Sequence, residues 1–195
     1  MLLLLDYKTL SKGGFFFERT ILMNHKQLAH LFMQKFLDET SNVVDMTAGN
    51  GHDTLFLAQH AKHVTAIDIQ AEAIRSAQER TKEYHNITYL NQSHDLVDYA
   101  LLAPITGAIY NLGFLPSSNK EIITTAVTTI ASLHRILPYV DKFIVVSCYL
   151  KHDGGYDEYL AVKNFVEALN KPYEVLEYET PLSPVTYLID LSNSQ

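Results

Sequence analysis

The sequence predicts a three-layer α/β sandwich with a mostly parallel sheet and an antiparallel hairpin at its C-terminal end. Short apolar runs alternate with helical periodicity from His25 onward. The run Phe143 to Tyr149 is too apolar for a strand wetted on one face and reads as the sheet centre. The last two strand candidates follow one another with no helix between them.

Residues 1–24 lack a clean period, and Gly13-Gly14 before Phe15-Phe16-Phe17 suggests a separate N-terminal arm ahead of a single domain over 25–195. From His25 a helix follows, with Leu28, Leu31, Phe32, Met33 and Phe36 on one broad face. Val43 to Thr47 reads as a strand running into Ala48-Gly49-Asn50-Gly51, and Asp53-Thr54 begins the next helix. His63 to Asp68 is a second strand, followed by a helix from Gln70 to about Tyr84. Ile87 to Leu90 and Gly107 to Tyr110 are further strands. Ser118 with Glu121 suggests a capping box for a long helix carrying Ile123, Ala126, Val127, Ile130, Leu133 and Leu137, which Pro138 ends. After the central strand, Tyr159, Val162, Val166 and Leu169 mark an amphipathic helix, and Tyr173 to Tyr178 and Thr186 to Leu191 form the hairpin.

Composition limits the functional classes. Of 195 residues, 47% are hydrophobic and 19% charged, with 6 Pro and 8 Gly, which excludes a disordered or collagen-like chain. The single Cys148 rules out an internal disulfide and an intrachain thiolate zinc cluster, and a reducing cytoplasm fits best. MLLLL is interrupted by Asp6, and no apolar stretch reaches the length of a membrane span. A net charge of −7 disfavours diffuse wrapping by nucleic acid but permits a local basic patch. Residues 1–40 carry five basic and four acidic side chains, whereas 172–195 carry four acidic and none basic, so a polyanion should avoid the C-terminal end.

Chemistry concentrates at the predicted carboxyl ends of the strands. In Asp45-x-Thr47-x-Gly49-x-Gly51 the glycines permit a tight turn and close approach of a ligand, or simply a strand-to-helix turn. Asp68, nineteen residues after Gly49, can accept the hydroxyls of an adenosine ribose or cap the helix near Gln70. The segment lacks the Lys-Ser/Thr of a triphosphate loop, so nucleoside triphosphate hydrolysis is disfavoured. Asp45 would repel a pyrophosphate and suits a cationic ligand, which favours S-adenosylmethionine over NAD. His94-Asp95, after the third strand, can edge an adenine ring or form a surface turn.

Asn111-Leu112-Gly113-Phe114-Leu115-Pro116 follows the fourth strand on the same edge. The Asn111 oxygen can orient an amine, and its transfer reaction then needs mainly alignment. Phe114 can stack on a planar substrate or pack in the core. His152-Asp153-Gly154-Gly155 returns to this edge, where His152 can accept an amine proton or belong to a helix-entry turn. Tyr156 can stack or donate a hydrogen bond. The pairs His52-Asp53, His94-Asp95 and His152-Asp153 admit a metal-hydrolase reading, but no helix-borne ligand spacing supports it.

Taken together, Asp45 to Thr54, Asp68-Ile69-Gln70, Asn111 to Pro116 and His152 to Gly155 resemble the bacterial "putative rRNA methylase" family over about residues 19–191. That family is associated with methylation of the amine of 5-aminomethyl-2-thiouridine at the tRNA wobble position. The resemblance implies a class I SAM-dependent methyltransferase (Rossmann-like) fold, a cytoplasmic tRNA substrate bound through its anticodon arm, a homodimer and no metal. The cofactor side is expected at Asp45, Thr47, Gly49, Asn50, Gly51, Asp53, Asp68, Gln70, His94 and Asp95. Asn111 and His152 are expected to be catalytic, and Phe114, Gly154, Gly155 and Tyr156 to meet the substrate. The chain departs from the family pattern at Ser117-Ser118-Asn119, where members commonly carry glycine, and at Asp153, where many carry proline. The alternatives are methylation of another RNA or a small amine, and a non-catalytic tRNA-binding protein.

Overall fold

The computed structural model describes residues 23–113, 123–177 and 183–192. Their elements in chain order are α1 (His25–Gln34), β1 (Asn42–Asp45), α2 (His52–His60), β2 (His63–Asp68), α3 (Ala71–Arg80), β3 (Ile87–Asn91), β4 (Ile105–Leu112), α4 (Ala126–Ile136), β5 (Val140–Cys148), α5 (Gly155–Ala168), β6 (Tyr173–Leu176) and β7 (Val185–Asp190).

Alternation along the central strands builds three layers. In β5, Phe143 and Val145 join one apolar cluster while Ile144 and Val146 join another, and all four are fully buried. The first cluster receives Ala29, Phe32 and Met33 of α1 and Phe56 and Leu57 of α2. The second receives Leu133 and Ile136 of α4 and Val162, Phe165 and Val166 of α5. Each such aliphatic or aromatic side chain contributes about 1.5–3 kcal/mol on burial, so both faces of the sheet are needed. Gly107 allows β4 to lie beside Phe143: a Cβ there would fall 2.2 Å from the ring.

The seven strands run in the order β3-β2-β1-β4-β5-β7-β6. The first five are parallel, and β7 pairs antiparallel with both β5 and β6. Strand order therefore reverses between β1 and β4, which opens a crevice at their carboxyl ends.

Several predicted details change. The long helix begins at Ala126, capped by Thr125 with Thr128, and Ile123 precedes it. Ser118 and Glu121 lie outside the described residues, as do residues 1–22 of the expected arm and Tyr178. Asn24 caps α1 through a box with Gln27, and the buried face of that helix uses Ala29, whereas Leu31 is 46% exposed. The register of β4 against β5 extends it from Ile105 to Leu112, beyond the predicted Gly107 to Tyr110.

Candidate active site

A cleft of about 570 Å³ occupies the crevice. Gly49, Asp68 and Asn111 all border it, from the ends of β1, β2 and β4.

The glycine loop and β2 are joined by one carboxylate. Asp68 accepts the Gly49 N–H on Oδ2 and the Gln70 N–H on Oδ1, both at 2.9 Å. Burial pushes its pKa up, against these two bonds. Gln70, not Asp68, is the N-cap residue of α3. Thr47, Asn50 and Gln70 also line the cleft, and the Thr47 hydroxyl accepts the Asn111 N–H at 2.7 Å.

His94 lines the cleft at 7% exposure, and its Nδ1 has no hydrogen-bond partner among the described residues. Burial lowers its pKa, with Asp95 opposing, so the ring enters the cleft neutral near pH 7. A buried neutral ring with an orphaned nitrogen fits a heteroaromatic ligand edge. This atom, the Asp68 carboxylate and the cleft volume suit an adenosyl group.

On the β4 side, Asn111 donates its amide Nδ2 to Asp53 Oδ2 at 2.8 Å. His30 Nε2 lies 2.6 Å from the other oxygen of Asp53, and the His30 ring stacks on Phe56 with centroids 3.8 Å apart. Burial opposes ionisation of Asp53. The His30 hydrogen bond and charge, Lys26 and the Asn111 amide outweigh it and hold the carboxyl below its usual range.

Several expected site residues lie off the lining. Asp45 is fully buried, with Thr54 donating at 2.7 Å and the Thr47 N–H at 3.3 Å, so Asp53 rather than Asp45 presents the carboxylate to the cleft. Burial first, and then the Asp53 charge, push Asp45 up to about 7. Gly51 turns away from the cleft: its φ of 76° starts α2, and a Cβ there would come within 2.6 Å of the Ala77 Cα. Its small size serves contact with α3. Asp95 accepts the Ser93 hydroxyl, and only its neighbours Ser93 and His94 line the cleft.

His152 also sits behind the lining. Its side chain is 4% exposed, with Nε2 3.8 Å from Glu158 Oε2 and Gly113 beside its ring. Glu158, itself 1% exposed, accepts the hydroxyls of Thr129 and Thr124, and Thr124 Oγ1 accepts the Gly113 N–H. Burial pushes the Glu158 carboxyl up, against those threonine bonds. Gly154 caps α5 and Gly155 opens it, while Tyr156 is 60% exposed away from the cleft. These positions put the His152-to-Tyr156 turn under the acceptor edge instead of in it. Phe114 lies outside the described residues.

The sequence reading missed Lys26, Tyr149, Thr124, Thr125 and Thr128, which line the cleft, and His30, which holds Asp53. Lys26 and His30 are four residues apart and share one face of α1, a polar pairing legible as periodicity. Nothing in the sequence aims that face at α2. Among the described residues, no group of three or more His, Cys, Asp and Glu side chains is placed to hold a metal ion. Nor is any helix among them long and apolar enough to cross a membrane. Cys148 is buried in β5, and burial raises its thiol pKa, which makes it a poor nucleophile.

The strand order, the crevice at its reversal and a carboxylate bridging the glycine loop define a class I S-adenosylmethionine-dependent methyltransferase fold. A protein from Streptococcus mutans described as a "putative methyltransferase" and solved in complex with SAH is 30% identical and superposes with a TM-score of 0.80, covering 87% of this chain and 99% of that one. A structure from Clostridium thermocellum described as a "putative rRNA-methylase" is 27% identical with a TM-score of 0.80, covering 86% and 97%.

The chain belongs to the family described as "Putative rRNA methylase", whose model matches residues 64–186. A model described as ribosomal RNA adenine dimethylase matches residues 11–105. The tRNA (mnm(5)s(2)U34)-methyltransferase, chloroplastic, of Arabidopsis thaliana is 31% identical over an alignment 162 residues long that covers 73% of this chain. The match spans 59% of that plant protein's length.

Proposed function

We propose that this protein is an S-adenosylmethionine-dependent N-methyltransferase acting on the amine of 5-aminomethyl-2-thiouridine at the tRNA wobble position. The observation that carries the reading is that Asn111 borders the same cleft as Gly49 and Asp68. The similarity to the plant wobble-uridine methyltransferase supports the substrate class.

The cofactor would be held by Asp68 at its ribose, by the Gly49-Asn50 backbone, and by Ser93 and His94 at its base. When bound, it supplies an electrophilic methyl group on a sulfonium that already carries the leaving group's positive charge. The chain's own part is alignment. Asn111 Oδ1 accepts an N–H of the amine and turns its lone pair toward the methyl position, which converts a bimolecular displacement into an oriented one. Asp53 fixes the Asn111 amide, and the amine must reach the site unprotonated. Lys26 at the rim and Arg80, which donates to the Asn50 carbonyl, supply local positive charge for a phosphate backbone despite the net charge of −7. The homodimer and the anticodon arm belong to this reading, and sedimentation with and without tRNA measures both.

The family description favours a second reading in which ribosomal RNA is the acceptor. One experiment separates them. The protein is incubated with labelled cofactor and either tRNA carrying the aminomethyl group or ribosomal RNA, and the nucleosides are resolved by mass spectrometry. Methyl transfer to the wobble nucleoside is the expected result. Transfer to ribosomal RNA alone, or to a free small amine as readily as to tRNA, would replace this substrate assignment. Cofactor and RNA binding without any turnover would reject the enzyme.

A further inference from the structure

Asn111 can present either end of its amide to the cleft, and only one end can orient an amine for attack. An ionised carboxylate only accepts hydrogen bonds, so the 2.8 Å contact with Asp53 Oδ2 requires the Asn111 NH₂ to face Asp53. Oδ1 is then left for the cleft, and no described residue donates to it. Asp53 is itself held from the opposite side, by His30 at 2.6 Å. For that contact to be a hydrogen bond, Nε2 of His30 must carry the proton. His30 in turn lies flat on Phe56, with an interplanar angle of 8°, which restricts rotation of the ring. The three polar side chains come from α1, α2 and β4 and form one continuous line, His30 to Asp53 to Asn111.

We propose that His30 is a positioning residue for the transfer reaction, acting through Asp53 to lock the Asn111 amide with its oxygen toward the acceptor amine. The proposal rests on the amine-methyltransferase reading for its consequence but not for its geometry. Without the His30 donor, Asp53 is free to swing or to take up water, and the amide loses its one-sided restraint. His30 touches neither acceptor nor cofactor in this scheme. Its effect belongs in the rate of the aligned complex rather than in cofactor affinity.

Two variants separate the donor from the packing. His30→Phe keeps an aromatic ring over Phe56 and removes the N–H. His30→Gln removes the ring and restores a donor of similar reach. The side-chain ¹⁵NH₂ signals of Asn111 are read by NMR in the full-length protein, assigned by their loss in Asn111→Ala. Alongside them are measured kcat on modified tRNA and the Kd for S-adenosylhomocysteine. The expected pattern in wild type is one exchange-protected Asn111 amide proton. His30→Phe loses that protection, and kcat falls about 10- to 100-fold with Kd changed less than about twofold. His30→Gln recovers the protection and most of the rate. A His30→Phe protein that keeps both the protected proton and its kcat would overturn the proposal. So would a loss confined to cofactor affinity with unchanged Asn111 signals. If wild type methylates no RNA while the Asn111 signals respond as described, the substrate reading fails and the positioning geometry stands.

Discussion

The Asp68 carboxylate accepts the Gly49 N–H on one oxygen and the Gln70 N–H on the other, so a single side chain ties the glycine loop to the start of α3. Its remaining lone pairs are the proposed ribose acceptors. Asp68→Lys removes both roles and reverses the charge. The Kd for S-adenosylhomocysteine is expected to rise at least about tenfold, the scale of a charged hydrogen bond. Calorimetric titration measures it, and equal affinity in variant and wild type would reject the ribose placement.

Asn111→Ala deletes the proposed amine acceptor while leaving Asp68 and the glycine loop in place. kcat should fall about 100-fold with the KM for the cofactor within about twofold, because the lost contact orients the acceptor only. Single-turnover transfer to modified tRNA is the measurement. A full-rate variant would move the acceptor site elsewhere.

Lys26 contributes a positive charge at the cleft rim. If it contacts a phosphate, Lys26→Ala should weaken tRNA binding and reduce the slope of log K against log salt by about 0.7–0.9. Filter binding across a salt series reads the slope. An unchanged slope would place the RNA backbone on another face.

Asp45 gives a pH signature in the ligand-free protein. Its folded pKa, about 7, lies above the ordinary carboxylate value because of burial and the Asp53 charge. The folded state therefore holds a proton that the unfolded chain has released. Stability from this group is intact below about pH 4 and declines between about pH 4 and 7, with a slope approaching about 1.4 kcal/mol per pH unit. Asp53, with a lowered pKa, has the opposite sign and acts only below the usual carboxylate range. Asp45→Asn cannot ionise, so its stability relative to wild type should increase from pH 4 to 7, on top of a constant loss because the amide nitrogen cannot accept the Thr54 hydroxyl. Urea unfolding at several pH values tests this, and a pH-independent difference would contradict it.

Gly51→Ala should cost about 2–4 kcal/mol, combining left-handed strain at φ 76° with overlap on the Ala77 backbone. That corresponds to a fall in Tm of about 5–15 °C. Differential scanning calorimetry measures the shift, and an unchanged Tm would show that α3 retreats freely.

Much of the scaffold was legible from local pattern. The Phe143-to-Cys148 run, the period-two burial and the missing helix before the last strand specify a buried parallel centre with an antiparallel edge, because each follows from short-range periodicity. Gly49, Asp68 and Asn111 were legible as strand-end residues for the same reason. The start of α4 was not: Ser118-Glu121 and Thr125-Thr128 both have side chains suited to capping, and sequence alone favoured the earlier pair.

Side-chain direction was a different matter. The chain's local chemistry determined that carboxylates and histidines would gather at one edge of the sheet. Only the tertiary structure decided that Asp53 faces the cleft while Asp45 is buried against Thr54, that Gly51 makes room for α3, and that His152 lies beside Glu158. It also brought His30, from a helix twenty-three residues before Asp53, onto the same line as Asn111. Hydrophobic periodicity repeats within a few residues and so survives in a one-dimensional reading. The aim of a polar side chain depends on which distant element packs above it, and that is set only when the layers close.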